Sequence, residues 1–97
     1  MDRLEEHRQR VAAFPDDVRK AHEHASYHRD EVLGSFKCGC FYCCKIFGPT
    51  EIKEWIDRGQ TALCPKCGID SVLGDRSGYE ITENFLKKMY HYWFQFD

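Results

Sequence analysis

Two stretches of sequence decide the fold, Cys40-Phe41-Tyr42-Cys43 and Cys64-Pro65-Lys66-Cys67-Gly68. Each contains a Cys-x-x-Cys pair, and the roughly twenty residues between the pairs match the spacing of zinc sites with four thiolate ligands. Gly68 suits the turn behind the second pair, because such turns often need a positive φ. Buried free cysteines are the alternative, which six cysteines in two clusters disfavour. The predicted zinc ligands are Cys40, Cys43, Cys64 and Cys67.

Two further cysteines flank the first pair and leave its register open. Cys38 can replace Cys40, or Cys44 can replace Cys43, with four or three residues then standing between the two ligands. We rank both registers below the Cys40/Cys43 pair, because two intervening residues suit a tight metal loop best. Cys38 and Cys44 are then small apolar residues or free thiols.

The size of the chain fits a metal-stabilised domain. At 97 residues the sequence predicts one domain, near the size at which a hydrophobic core alone gives marginal stability. The charged N-terminal residues contain no apolar signal segment, and no apolar run is long enough for a membrane helix. We therefore expect a cytoplasmic protein, where thiols stay reduced and bind metal rather than form disulfides.

The charge of the cysteine segment disfavours nucleic acid as a partner. The whole chain carries a net charge of −2. Residues 34–68 contain five Lys or Arg and three Asp or Glu, which gives +2. Four bound thiolates and one Zn²⁺ contribute −2, so the segment becomes about neutral. A nucleic-acid module usually has a basic surface instead.

The apolar pattern predicts an α+β fold in which a small zinc-ribbon-like core packs against helices. Residues 1–33 form a helical part, residues 34–74 the zinc-binding core, and residues 79–96 a final helix that Thr82 caps. Within the first part, we expect one helix over 2–13 and another from Pro15 to Gly34. Within the core, we expect strands near Phe36, at 46–47 and at 69–73, and a helix over 50–58 between the cysteine pairs.

A cluster of histidines offers an alternative site. On a continuous helix, His24, His28 and Glu31 share one face, where they can bind a second metal ion or supply a general base. In the simpler interpretation, which we favour, His28 packs beside Ala21 and Ala25 while the other two side chains are solvated. No HExxH-type motif supports the catalytic interpretation.

The last helix carries more aromatic residues than one core stripe needs. Ile81, Phe85, Leu86, Met89 and Trp93 lie along one face. Additional aromatics near the chain end are either part of the core or an interaction surface. The candidate partner-binding residues are Tyr90, Tyr92, Phe94 and Phe96.

Four segments together resemble a family of small bacterial proteins that are usually described only as cytoplasmic proteins. They are HRDE at 28–31, CGCFYC at 38–43, EIKEW at 51–55 and TALCPKCGIDSV at 61–72. The resemblance covers roughly residues 20–94 and is most specific over 61–72. It implies a soluble bacterial protein whose two cysteine pairs act together, and it assigns no catalytic residues. Proteins described in this way are sometimes encoded beside toxins as immunity partners.

The sequence therefore favours a non-enzymatic, zinc-stabilised module that binds another protein or a second copy of itself. An intracellular inhibitor or immunity protein for a bacterial toxin is one form of this function. A site with four thiolates leaves no position for an activated water, and no nucleotide-binding or nucleophile motif is present. One alternative is a small nuclease-like metalloenzyme that uses His24, His28 and Glu31. Another is a nucleic-acid-binding zinc ribbon that uses Lys37, Lys45 and Lys66 with Phe41 and Tyr42.

Overall fold

The computed structural model describes the backbone of residues 3–95 and the side chains of residue 6 and residues 8–95. Within this range, the helices are Arg3–Ala12 (α1), Asp16–Ala21 (α2), Arg29–Leu33 (α3) and Glu83–Trp93 (α4). The strands are Cys38–Cys40 (β1), Ile46–Phe47 (β2), Trp55–Ile56 (β3), Thr61–Ala62 (β4) and Val72–Gly74 (β5). Short 3-10 helices occupy His22–His24, Pro49–Glu51 and Asp75–Ser77. The arrangement is a small mixed domain of helices and sheets, as predicted.

The sheet that carries the first cysteine pair has three antiparallel strands in the order β2-β1-β5. Cys38 of β1 lies opposite Phe47 of β2 and Gly74 of β5, and Cys40 lies opposite Val72. The predicted strand at 46–47 is confirmed, and the one predicted at 69–73 is shifted to Val72–Gly74. Cys40 therefore stands at the end of the central strand, where the sheet fixes its position.

Two groups of buried side chains lie on either side of this sheet. The helical core contains Phe14, Val18, Ala21, Ala25, Phe41, Leu73, Ile81, Leu86 and Met89. The cysteine-side core contains Val32, Cys38, Cys40, Phe47, Ile52, Ala62, Cys64 and Val72. Because side chains alternate along a strand, the neighbours Val72 and Leu73 belong to different cores.

Gly39 lets α4 approach the central strand closely. A β-carbon at this position would lie 2.7 Å from Leu86 Cδ1 and 3.0 Å from Ile81 Cγ2. The predicted cap is confirmed, since Thr82 Oγ1 accepts a hydrogen bond of 3.2 Å from the Phe85 backbone N–H. The helix spans Glu83–Trp93 and is therefore shorter than the predicted range 79–96. Its predicted apolar stripe packs against the helical core, with Leu86 and Met89 fully buried.

The long helix predicted from Pro15 to Gly34 is wrong, because the chain breaks between α2 and α3. Tyr27 has a φ of 49°, which no α-helix accommodates. Its N–H donates to Thr61 Oγ1 at 2.9 Å, and the His28 N–H donates to the Gln60 carbonyl at 2.8 Å. These distant acceptors replace the helical ones, so tertiary contacts override the local apolar pattern.

The helix predicted over residues 50–58 is also wrong, because this segment forms a 3-10 helix and then the β3–β4 hairpin. Trp55 lies opposite Ala62, and Ile56 lies opposite Thr61. The connecting turn has positive φ values at residues 57, 58 and 59, of 54°, 59° and 83°. Thr61 Oγ1 donates to Asp57 Oδ2 at 2.7 Å and closes the turn. The element between the cysteine pairs is therefore mainly a hairpin.

Phe36 is not in a strand, contrary to the expectation for the segment before β1. Phe36 is 94% exposed, and its backbone N–H donates to Asp75 Oδ1 at 3.1 Å. The sequence suggested a strand because aromatic residues favour sheets. The strand begins two residues later, at Cys38.

Candidate metal centre

The two cysteine loops have the same backbone geometry. Cys44 donates its N–H to the Cys40 carbonyl at 2.7 Å, and Gly68 donates to the Cys64 carbonyl at 2.9 Å. The residue that follows each pair has a positive φ, 61° at Cys44 and 82° at Gly68. The predicted role of Gly68 is confirmed, and Cys44 takes the same conformation although it is not glycine. The first loop thus forms a tight turn without the residue that usually permits it.

Backbone N–H groups point at the first sulfur of each pair. The Tyr42 N–H donates to Cys40 Sγ, and the Lys66 N–H donates to Cys64 Sγ, each at 3.3 Å. An N–H donor favours the charged form of a thiol, because it stabilises negative charge on the sulfur. Each loop therefore provides an N–H donor that would stabilise a thiolate at its first cysteine.

The loops bring four sulfurs into one cluster. Cys40 Sγ lies 3.7 Å from Cys67 Sγ, and Cys43 Sγ lies 3.7 Å from Cys64 Sγ. All four Sγ atoms lie within 4.8 Å of one another. Four sulfurs about 2.3 Å from one zinc ion, at the corners of a tetrahedron, are about 3.8 Å apart. The residues therefore fit a metal ion bound by four thiolates.

The four cysteines differ in their exposure to solvent. Cys40 and Cys64 are buried, Cys43 is half-buried and Cys67 is exposed. Burial raises the pKa of Cys40, more than the N–H groups of Cys43 and Tyr42 lower it. Burial also opposes ionisation of Cys64, but hydrogen bonds from Lys66, Cys67 and Cys43 outweigh it and lower the pKa of that thiol. A bound cation would favour the thiolate form at all four positions.

The two surplus cysteines lie outside the four-sulfur cluster. Cys38 is fully buried, its Sγ lies 3.9 Å from the Val32 carbonyl, and burial raises its pKa to about 12. Cys44 is half-buried and packs against the helical core. The geometry therefore favours the register that uses Cys40 and Cys43.

Replacing Cys38 or Cys44 with Ser is expected to leave the metal content of the purified protein unchanged. Neither thiol belongs to the cluster, and Cys44→Ser changes only a half-buried atom. Elemental analysis of both variants beside the wild type checks this. Loss of metal in Cys38→Ser but not in Cys40→Ser, or in Cys44→Ser but not in Cys43→Ser, would show that a slipped register is used.

The histidine cluster does not form the site that a continuous helix would give. His28 is buried, and its Nδ1 lies 2.6 Å from the His24 carbonyl, to which it donates. Its Nε2 lies 3.1 Å from the Ala62 backbone N, from which it accepts a hydrogen bond. Both ring nitrogens are thus used within the protein, so His28 has no free atom for a metal ion or a substrate proton.

The other two members of that cluster form a surface pair. His24 Nδ1 lies 3.0 Å from both carboxylate oxygens of Glu31, and both side chains are partly exposed. Within the described residues, the four cysteines are the only group of three or more His, Cys, Asp or Glu side chains placed to share an ion. The alternative metal site at His24, His28 and Glu31 is therefore not found in this part of the chain, and the favoured interpretation, in which His28 is buried, agrees with the structure.

The residues proposed for stacking with nucleic-acid bases are only partly accessible. Phe41 is 1% exposed and belongs to the helical core, so its ring cannot stack with a base. Lys66 Nζ lies 3.1 Å from Glu51 Oε1, which offsets part of its charge. Tyr42, Lys37 and Lys45 remain exposed.

The structure separates the aromatic residues of the last helix into two groups. Tyr92 lies against the core, with its ring centroid 5.2 Å from that of Phe14. Phe94 and Tyr90 instead contact Tyr42 of the first cysteine loop, at centroid distances of 5.0 and 5.9 Å. Phe96, the fourth predicted partner-binding residue, lies outside the described residues.

Comparison with known proteins does not identify a relative: neither the family models, nor the curated proteins, nor the solved structures give a match. Within residues 3–95, no helix has the length and apolar character that crossing a membrane requires.

Proposed function

We propose that this protein is a non-enzymatic, zinc-stabilised module that binds another protein. One observation carries the zinc part of the proposal: the four Sγ atoms have the separations that a tetrahedral ion requires. The two loops correspond to the two halves of a zinc-ribbon-like site. Because all four positions around such an ion are filled by sulfur, the ion has no open position for water or substrate.

The contribution of the ion is structural. The first loop continues from β1 and the second follows β4, so the ion connects the three-stranded sheet to the hairpin. The longest strand in either sheet has three residues, so the backbone ladders are short. A metal bond between the sheets would add stability that such short ladders do not supply.

The interaction part of the proposal depends on the aromatic surface, defined here as Tyr42, Tyr90 and Phe94. Tyr42 is 43% exposed and Phe94 is 38% exposed. Their rings meet edge to face, with an interplanar angle of 83°. Tyrosine and other large aromatic residues are frequent in the few positions that contribute most binding energy at protein interfaces. This surface joins the cysteine loop to the last helix.

The class of partner follows from charge and chemistry. The segment 34–68 becomes about neutral when zinc is bound, which favours a protein over a phosphate backbone. Six free thiols suit the reducing cytoplasm, where we propose that the protein acts. An inhibitor or immunity partner of a bacterial toxin is the form that the family resemblance suggests, and it rests on that resemblance alone.

The double variant Tyr42→Ser/Phe94→Ser is expected to lose partner binding while it keeps its metal and its helices. Each anchor of this kind contributes about 2 kcal/mol or more to an interface. The test is affinity capture from the host with the wild-type and variant proteins, followed by calorimetry with the purified partner. Phe36→Ser is the matched control, because it removes an exposed aromatic residue outside the aromatic surface.

Three results bear on this expectation. Loss of the captured partner from the double variant, but not from Phe36→Ser, supports the aromatic surface. Equal capture by the wild type and the double variant contradicts it. A wild type that sediments as a dimer, and a double variant that sediments as a monomer, would show that a second copy of this chain occupies the surface.

A further inference from the structure

One cysteine of the cluster is more exposed to solvent than the other three. Cys67 is exposed, whereas Cys40 and Cys64 are buried and Cys43 is half-buried. The neighbouring Gly68 has open space on its side-chain side, with no atom within 4 Å of a β-carbon placed there. A small reagent in solvent therefore meets the cluster first at Cys67.

The exposed sulfur has a buried partner on the other loop. Cys67 Sγ lies 3.7 Å from Cys40 Sγ, although the two residues belong to different Cys-x-x-Cys pairs. Cys40 is 0% exposed, so a reagent in solvent reaches it only through the cluster. An oxidised Cys67 would thus be next to a sulfur that can attack it while remaining protected itself.

We propose that Cys67 is an oxidation site through which a hydroperoxide opens the metal centre. This inference rests on the proposed zinc site, and it adds a modification that removes the ion. The Cys67 thiolate attacks a peroxide oxygen, so that an S–O bond forms and the O–O bond breaks. With hydrogen peroxide, the leaving hydroxide takes a proton and becomes water, and Cys67 becomes a sulfenic acid.

The second step is attack on the oxidised sulfur by the Cys40 thiolate. The S–S bond forms as the S–O bond breaks, and hydroxide leaves and is protonated to water. In sum, two thiolates lose two electrons and one peroxide molecule is reduced to two water molecules. Only Cys43 and Cys64 would then remain to hold an ion, and two thiolates do not complete a structural zinc site, so a bound zinc ion would be released.

The surplus cysteines are poorly placed for this reaction. Cys38 is fully buried, and Cys44 is half-buried with no place in the cluster. A disulfide that contains either of them is not expected while the fold is intact. Cys44→Ser is therefore a matched control, because it removes one half-buried thiol beside the first pair but no proposed ligand.

The test adds hydrogen peroxide stepwise to the zinc-loaded full-length protein and measures released zinc with a coloured chelator. We expect one zinc ion to be released for each chain that forms a disulfide. The Cys44→Ser variant should release zinc to the same extent. Mass spectrometry of digested samples should show a disulfide between Cys40 and Cys67. A thiol reductant together with added zinc should restore the loaded protein. Cys67→His, which keeps a four-ligand site of a known zinc type, should lose the peroxide-dependent release.

Several outcomes overturn the inference. One is that zinc stays bound after peroxide has oxidised the cysteines. Another is that the first disulfide joins cysteines other than Cys40 and Cys67. A third is that the Cys44→Ser variant no longer releases zinc. If Cys67→His does not bind zinc, disulfide mapping in the wild type decides the question. A wild-type protein that is folded but contains no zinc contradicts the proposed metal site itself, which is a different result from peroxide resistance.

Discussion

The variant Cys64→Ser is expected to lose the proposed zinc ion and most of its cooperative folding. Cys64 is buried, and its sulfur lies 3.7 Å from Cys43 Sγ in the cluster. Structural zinc contributes an apparent binding free energy of about 10–16 kcal/mol in small zinc-binding peptides. A typical domain is stable by about 5–15 kcal/mol, so loss of the ion removes a comparable amount. Elemental analysis and thermal unfolding followed by circular dichroism measure the two effects.

Chelation of the wild-type ion should give the same unfolding as the substitution, and Cys44→Ser should keep both metal and folding. A wild-type protein that is folded with less than half an equivalent of any metal would contradict the metal site. Iron in place of zinc would retain the site and change the ion, since four thiolates in a tetrahedron suit both metals. Visible absorption by the purified protein would reveal that substitution.

The cysteine pairs could be predicted from the sequence because their chemistry is local. A Cys-x-x-Cys loop brings two sulfurs together within four residues, and the next residue must turn the chain back. Gly68 and the Thr82 cap are local in the same sense, and both predictions are confirmed. The register of the first loop was harder to predict, because Cys44 adopts a positive φ without being glycine.

The two helix predictions are wrong for a common reason: the two segments contact and stabilise each other. A local sequence pattern carries no information on such a long-range contact. The β3–β4 hairpin supplies the acceptors for the N–H groups of Tyr27 and His28, where the predicted long helix breaks. In return, Arg29 packs over the Trp55 ring at 4.6 Å and donates to the Gly59 carbonyl at 2.9 Å. Each segment is stabilised by the other, across about thirty residues of sequence, so helical periodicity alone misleads.

The aromatic residues of the last helix also depend on long-range contacts that the sequence pattern does not reveal. Their sequence positions indicated an excess of large side chains, but not which of them face solvent. Tyr92 contacts Phe14, whereas Phe94 contacts Tyr42, and both contacts join parts of the chain that are more than fifty residues apart. Only the three-dimensional packing distinguishes a residue that supports the core from one that a partner can reach.

His28→Ala is expected to destabilise the protein by about 2–4 kcal/mol. The buried imidazole bridges the His24 carbonyl and the Ala62 N–H, and its loss leaves both groups without these hydrogen bonds. Each buried group left unpaired costs about 1–3 kcal/mol, and the lost ring leaves space in addition. Chemical denaturation of wild type and variant measures the difference. His24→Ala, which removes a partly exposed imidazole, should cost much less.

The stabilisation by His28 should also depend on pH, with a definite sign. Burial lowers the pKa of His28, more than the His24 carbonyl and the Glu31 charge raise it. The unfolded chain therefore takes up this proton near pH 6.5, while the folded chain takes it up only at lower pH. Protonation would also remove the acceptor that the Ala62 N–H needs. The stability that His28 contributes is therefore complete above the pKa of the unfolded chain. It is lost as the pH falls through the pKa of His28 in the folded protein. The difference in free energy of unfolding between wild type and His28→Ala should thus shrink below about pH 6.5. Loss of the proposed zinc ion in acid would affect both proteins, so it does not change this comparison. A difference in free energy of unfolding that stays constant from about pH 8 to about pH 5.5 would show that His28 stabilises the fold in some other way.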